Sequence, residues 1–137
     1  MNGEELMRTV TAAFARSDLQ PLLSVLHNDI IWKSASQEDF FSFRGEHRGR
    51  SRVLAALSNI SKDYTFHSMR PKEIVSSGDI VWGLFDVGLS YDAKGKGITP
   101  KPIQLEMAIR WRLKDGKVLE HSTFFDTAHL LKQQTSP

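Results

Sequence analysis

The stretch "IQLEMAIRWRLKDGKVLEHSTFFDTAHLL", residues 103–131, decides the fold. Its first third alternates strictly. Leu105, Met107, Ile109, Trp111 and Leu113 fall on one side, and Glu106, Arg110 and Arg112 on the other. A period of two marks a strand with one buried face. "KDGK" (114–117) is a two-residue hairpin turn of the Asp-Gly kind, so "VLEHSTFFD" (118–126) returns as the partner strand. A plain turn pairs Leu113 with Val118, Ile109 with Ser122 and Leu105 with Asp126. Phe124 and Asp126 then share the apolar face. A β-bulge would slip the register by one, exchange the faces and bring His121 inward.

Working outward, Thr127 to Leu131 start a last helix, with Asp126 at the junction. Asp is among the best N-caps, so it reads either as that cap or as an acid at the mouth of a pocket. Upstream, "IVWGLFDVGLSYD" (80–92) is a long strand holding Asp86, and "GD" (78–79) turns the chain. "YTFHSMRPKEIVSS" (64–77) is another strand, interrupted near Pro71. "AKGKGITPKP" (93–102) reads as a loop; its "GKG" at 95–97 lacks the rest of a phosphate-cradling motif.

The N-terminal half is helical. "GEELMRTVTAAFARSD" (3–18) carries Leu6, Val10, Ala13 and Phe14 at helical spacing. Ser17 and Gln20 match a capping box ahead of a second helix that runs to about Leu26, with Pro21 tolerated in its first turn. "DIIWKS" (29–34) is a short strand. Residues 35–48 form a loop whose Phe40, Phe41 and Phe43 fold over something apolar. Ser51 caps a third helix along which Leu54, Leu57 and Ile60 recur. Three helices, then antiparallel strands, predict an α+β layer architecture in one domain over residues 1–137.

Composition narrows the function classes. The 137 residues suffice for a real core, with 40% apolar and 25% charged residues. With no cysteine there is no thiolate chemistry, and no apolar run is long enough to span a bilayer. No signal peptide is visible, so a cytoplasmic location is expected. A formal charge of +2 gives no reason to expect a nucleic-acid partner. "FRGEHRGRSR" (43–52) gathers Arg44, Arg48, Arg50 and Arg52, either as a solvated loop or as a hold on an anionic group. His27, His47, His67, His121 and His129 lack metal-ligand spacing, so no metal and no cofactor is expected.

Taken together, "ARSDLQPLLSVLHNDIIW", "GRSRVLAAL", "GDIVWGLFDV" and "AIRWRLKDGKVLEHSTFFDTAHLL" resemble the SnoaL-like, ketosteroid-isomerase-related branch of the NTF2-like superfamily, over about Leu6 to Leu131. The resemblance implies a cone-shaped barrel, with three N-terminal helices packed in a curved, mostly antiparallel sheet. It also implies one deep apolar pocket and a homodimer formed through the outer sheet face. Relatives include isomerases, cyclases, hydratases and non-catalytic binders, so fold alone does not fix function.

A ketosteroid isomerase needs a carboxylate base and two donors for its dienolate oxygen, a tyrosine and a protonated acid. By the resemblance these three positions fall on Val10, Ser34 and Ile109. None of these side chains can do the required work. The cyclase branch's acid, in a pattern like "EYxDT", falls on Thr123. Ligand-binding walls are therefore expected from Val10, Phe14, Trp32, Ser34, Met107, Ile109, Trp111 and Phe124. Asp126, His121 and Asp86 are the candidate catalytic groups. The expected function is a pocket for a small, largely apolar organic molecule. The alternatives are an isomerase, cyclase or hydratase acting through Asp126, and a protein-interaction module using the outer sheet face.

Overall fold

The computed structural model describes residues 1–92, 97 and 99–137. Its elements run α1 (Gly3–Ala15), α2 (Gln20–Val25), β1 (Leu26–Lys33), β2 (Glu46–Arg48), α3 (Arg50–Asp63), β3 (Tyr64–Ser77), β4 (Ile80–Tyr91), β5 (Lys101–Lys114), β6 (Lys117–Phe124) and α4 (Thr127–Thr135). Of the expected 93–102 loop, residues 93–96 and 98 lie outside the described residues, and its last two, Lys101 and Pro102, already belong to β5.

The strands form one six-stranded sheet in the order β2-β1-β6-β5-β4-β3. Among the described residues only the β1–β6 pair is parallel. This corrects the expectation of a cone-shaped barrel in a curved sheet: the sheet is open, ends at β2 and β3, and is not strongly curved. The physical reason lies in α3, which packs against β1, β2 and β3. A helix, not a hydrogen-bond ladder, spans the distance between the two edge strands. Pro71 sits on the edge strand β3, which continues through it with irregularities on either side of the Ser68–Pro71 segment.

Local sequence explains the helix ends, and corrects two caps. Ser17 does not cap α2. It takes φ 64° after α1, where its N–H reaches Phe14 and the N–H of Asp18 reaches Ala13, so it ends α1 in a Schellman turn. Ser51 lies inside α3, whose N-cap is Gly49. Val53 and Leu57 of α3 are buried, whereas Leu54 is exposed. Arg50 closes the end of α2 by donating to the carbonyls of Leu26 and Leu23 at 2.6 and 2.9 Å. At least this member of the arginine cluster is therefore structural.

Helix α1 crosses the sheet over β3 and β4. It comes so close that a Cβ on Gly83 would stand 2.7 Å from the Met7 sulfur and 2.5 Å from the Phe85 ring. Helix α4 covers the other end of β5. Beyond the last β5–β6 pair, Ala108 with Phe124, β5 lacks a strand partner on that side. The Gln133 side-chain amide fills the role, accepting from the Gln104 N–H and donating to its carbonyl, both at 3.0 Å.

Candidate functional site

A cavity of about 110 Å³ lies between the inner face of the sheet and α1, α3 and α4. One water needs only about 10–15 Å³ on this measure. The walls are overwhelmingly apolar. Val10 and Phe14 of α1, Trp32 of β1, and Leu105, Met107, Ile109 and Trp111 of β5 all contribute, with Leu57 from α3 and Leu130 from α4. Ser34 lies at the rim of β1. Positions 10, 34 and 109 thus converge on one hollow.

The last hairpin decides which other groups reach it. Asp115 and Gly116 take φ 54° and 75°, the two positive values a type I′ turn requires, and Lys114 pairs with Lys117. Leu113 pairs with Val118 as expected. Arg112 then pairs with Glu120, leaving Leu119 as a bulge. From there the expected register is overturned: Ile109 faces Thr123, not Ser122, and β6 ends before Asp126. His121, Thr123 and, just past the strand, Phe125 line the cavity. Phe124 is on the opposite face, half exposed and stacked on Trp82 with ring centroids 5.9 Å apart. This corrects its placement in the wall, because Phe125 takes that place.

The two carboxylates stand elsewhere. Asp126 is exposed and caps α4, its Oδ1 accepting from the His129 N–H at 3.0 Å. Asp86 lies on the outer face, 3.9 Å from the Lys72 ammonium. Lys72 also binds Glu106 at 2.7 Å.

Inside, the polar groups form a chain. The Trp111 indole N–H donates to His121 Nδ1 at 3.0 Å, and His121 Nε2 lies 2.7 Å from the Thr123 hydroxyl. An indole nitrogen only donates, so Nδ1 must carry a lone pair. The imidazole is therefore neutral and bears its proton on Nε2. Trp32 stacks flat on it, with centroids 3.6 Å apart and planes 9° from parallel. Burial pushes the His121 imidazole down to about 3, since the charged form would lose its hydration without a compensating anion. Among the described residues the other titratable group in the wall is Tyr64, which donates its hydroxyl to Gln134 of α4. Burial, with Tyr91 and Asp63 nearby, raises its pKa.

The aromatic loop before β2 closes the hollow. Phe41 and Phe43 are buried and stacked 4.6 Å apart, and Phe43 meets Phe125 at 5.5 Å; Phe40 points outward. Phe43, Tyr64, Thr123 and Phe125 are wall residues that the sequence-based list lacks. Among the described residues no group of three or more His, Asp or Glu side chains could hold a metal ion. No helix among them is long and apolar enough to cross a membrane.

The sequence profile of the SnoaL-like domain matches residues 7–121. The chain belongs to the SnoaL-like family. No curated protein matches it. Among solved structures it is similar to an NTF2-like protein of unknown function from Burkholderia pseudomallei, with a TM-score of 0.85, 21% identity and coverage of 99% of this chain and 100% of that one. It is also similar to a putative polyketide cyclase from Pseudomonas putida, with a TM-score of 0.78, 21% identity and coverage of 97% and 98%. A third similar structure is TerC co-crystallised with polyporic acid, with a TM-score of 0.78, 20% identity and coverage of 96% and 97%. At such identities the likeness establishes the fold and leaves the chemistry to the residues.

Proposed function

We propose that this SnoaL-like protein binds a small, largely apolar organic molecule in the cavity, without the chemistry of the ketosteroid isomerases. One observation carries this reading: the hollow is walled by apolar side chains and, among the described residues, no ionised group lines it, with Val10, Ser34 and Ile109 where the isomerase groups would stand. Burying a ligand there gains roughly 25 cal/mol per Å² of apolar surface, less the costs of association. The co-crystallisation of the similar TerC with an organic acid supports a small-molecule role. In this reading Asp126 and Asp86 transfer no proton, because both are exposed and away from the wall. The reading includes a cytoplasmic location and a second copy of the chain on the outer sheet face, where Val75, Trp82 and Phe124 are exposed.

The test is a titration of the purified protein with indane, followed by the fluorescence of its tryptophans. Saturable binding is expected in the wild type and its loss in Ile109→Trp, with folding checked by circular dichroism. Absence of saturable binding in the wild type would sink the reading. Sedimentation would check the dimer, which Trp82→Glu is expected to dissociate; a monomeric wild type removes that part of it.

A further inference from the structure

The polar groups of the Trp111–His121–Thr123 chain are few, and their hydrogens can be accounted for one by one. The Trp111 N–H occupies the only lone pair of His121 Nδ1. The remaining imidazole proton, on Nε2, points to the Thr123 oxygen. Thr123 is thereby an acceptor from His121, and its own O–H is left over. Among the described residues no second partner takes that proton, and Thr123 lines the cavity. Ser34 stands next to it. Trp32 pairs with His121 and Lys33 with Ser122 across the parallel β1–β6 ladder, so Ser34 and Thr123 are the next neighbours on the inner face.

We propose that the Trp111–His121–Thr123 chain fixes the Thr123 hydroxyl as a hydrogen-bond donor into the cavity, and that the ligand is a neutral apolar molecule bearing a carbonyl oxygen that accepts from it. This rests on the small-molecule reading above and specifies its ligand. Charge complementarity selects the class. Among the described residues no Lys, Arg, Asp or Glu lines the cavity. An anion would lose its hydration with no cation to replace it, and a cation would meet no carboxylate. A pure hydrocarbon would leave the hydroxyl's proton without a partner when it displaced water. A carbonyl oxygen satisfies that proton and needs none in return. His121 and Trp111 are positioning residues in this arrangement. The imidazole has no free lone pair with which to act as a base.

Three probes of one shape test it: indane, 1-indanone and indane-1-carboxylate. With wild-type protein, 1-indanone is expected to bind about five- to tenfold tighter than indane, the worth of one net hydrogen bond, and the carboxylate weakest of all. Thr123→Val removes the hydroxyl at nearly constant shape. It should abolish the ketone's advantage and leave indane within about twofold. Thr123→Ser should restore the advantage, which a purely structural role for Thr123 would not. Nitrogen-15 spectra of His121 are expected to show the Nε2–H tautomer at neutral pH. An Nδ1–H tautomer, a ketone preference surviving in Thr123→Val, or equal binding of indane and 1-indanone would each overturn this proposal while the pocket reading stands. Failure of all three probes to bind would remove the pocket reading, and this proposal with it.

Discussion

The two faces of the β5–β6 hairpin handle polarity in opposite ways. On the outer face Glu120 joins Arg110 and Arg112, each at 3.1 Å, and Arg112 reaches Asp79 at 2.9 Å. Lys72 bridges Glu106 and Asp86 beside them. These groups stay charged because water shares the work of solvating them. On the inner face, one residue along each strand, the polar groups are Trp111, His121 and Thr123, and they are neutral. The difference teaches that the hairpin carries charge only on its outer face, and that its inner face holds a neutral hydrogen-bonded chain ending at the Thr123 hydroxyl. A charge there would give up most of its hydration and, among the described residues, meet no counterion.

The comparison breaks hardest at Trp111. It is 1% exposed, spans the wall and supplies the first donor of the chain. Trp111→Ala is expected to cost about 3–5 kcal/mol of unfolding free energy, with the cavity term included. Glu106→Gln, across the same strand, removes one exposed ion pair and should cost no more than about 1 kcal/mol. Urea denaturation of both variants measures the contrast. Equal losses would mean that the faces do not differ as described.

How much of this was legible in the sequence turns on the same hairpin. The alternation of β5 and the Asp-Gly turn placed both strands, and the carried-over positions 10, 34 and 109 do meet in one cavity. The bulge at Leu119 was harder to see. In "VLEHSTFF" neither parity is apolar throughout, since Val118 with Phe124 shares a face with Glu120, and Leu119 with Phe125 shares one with His121. That failure of alternation was itself the signal. The plain register would set Glu120 beside Trp111 on the inner face, a buried carboxylate without a cation. The bulge sets it between Arg110 and Arg112. The closed barrel misled for a different reason. It came with the resemblance, and no local pattern in this chain encodes whether two distant edge strands meet. The packing of α3 against both settles that they do not.

Acid sharpens the comparison next, because it charges the inner face. His121 ordinarily titrates at 6.5 and is held down to about 3 in the fold. The unfolded chain therefore takes up this proton first as pH falls. The contribution of neutral His121 to stability is complete above 6.5 and is lost progressively toward 3, by at most about 1.4 kcal/mol per pH unit. Among the described residues no charged side chain lines the wall around the ring, whose contacts are Trp32, Trp111 and Thr123. Denaturation curves between pH 7.5 and 4.5 for wild type and His121→Gln isolate the effect from the carboxylates. The variant's stability should fall less steeply. Parallel slopes would show that His121 titrates normally and is not sealed from water.

The smallest effect tests whether the two faces are separable at the point where β6 leaves the sheet. Asp126 faces water there and holds the first turn of α4 through the His129 N–H. Helix α4 in turn puts Leu130 into the cavity wall and Gln134 on Tyr64. Loss of the cap acts on the cavity only through fraying of that helix. Asp126→Ala should cost about 1 kcal/mol of stability, a usual value for a lost N-cap. Asp126→Asn, which keeps an accepting oxygen, should cost less and leave indane affinity within about tenfold, since the side chain stands outside the wall. If Asp126→Asn instead abolished binding or a measurable turnover while the fold stayed intact, the carboxylate would be acting on the ligand. The division between a charged exterior and a neutral hollow would then fail at its one shared residue.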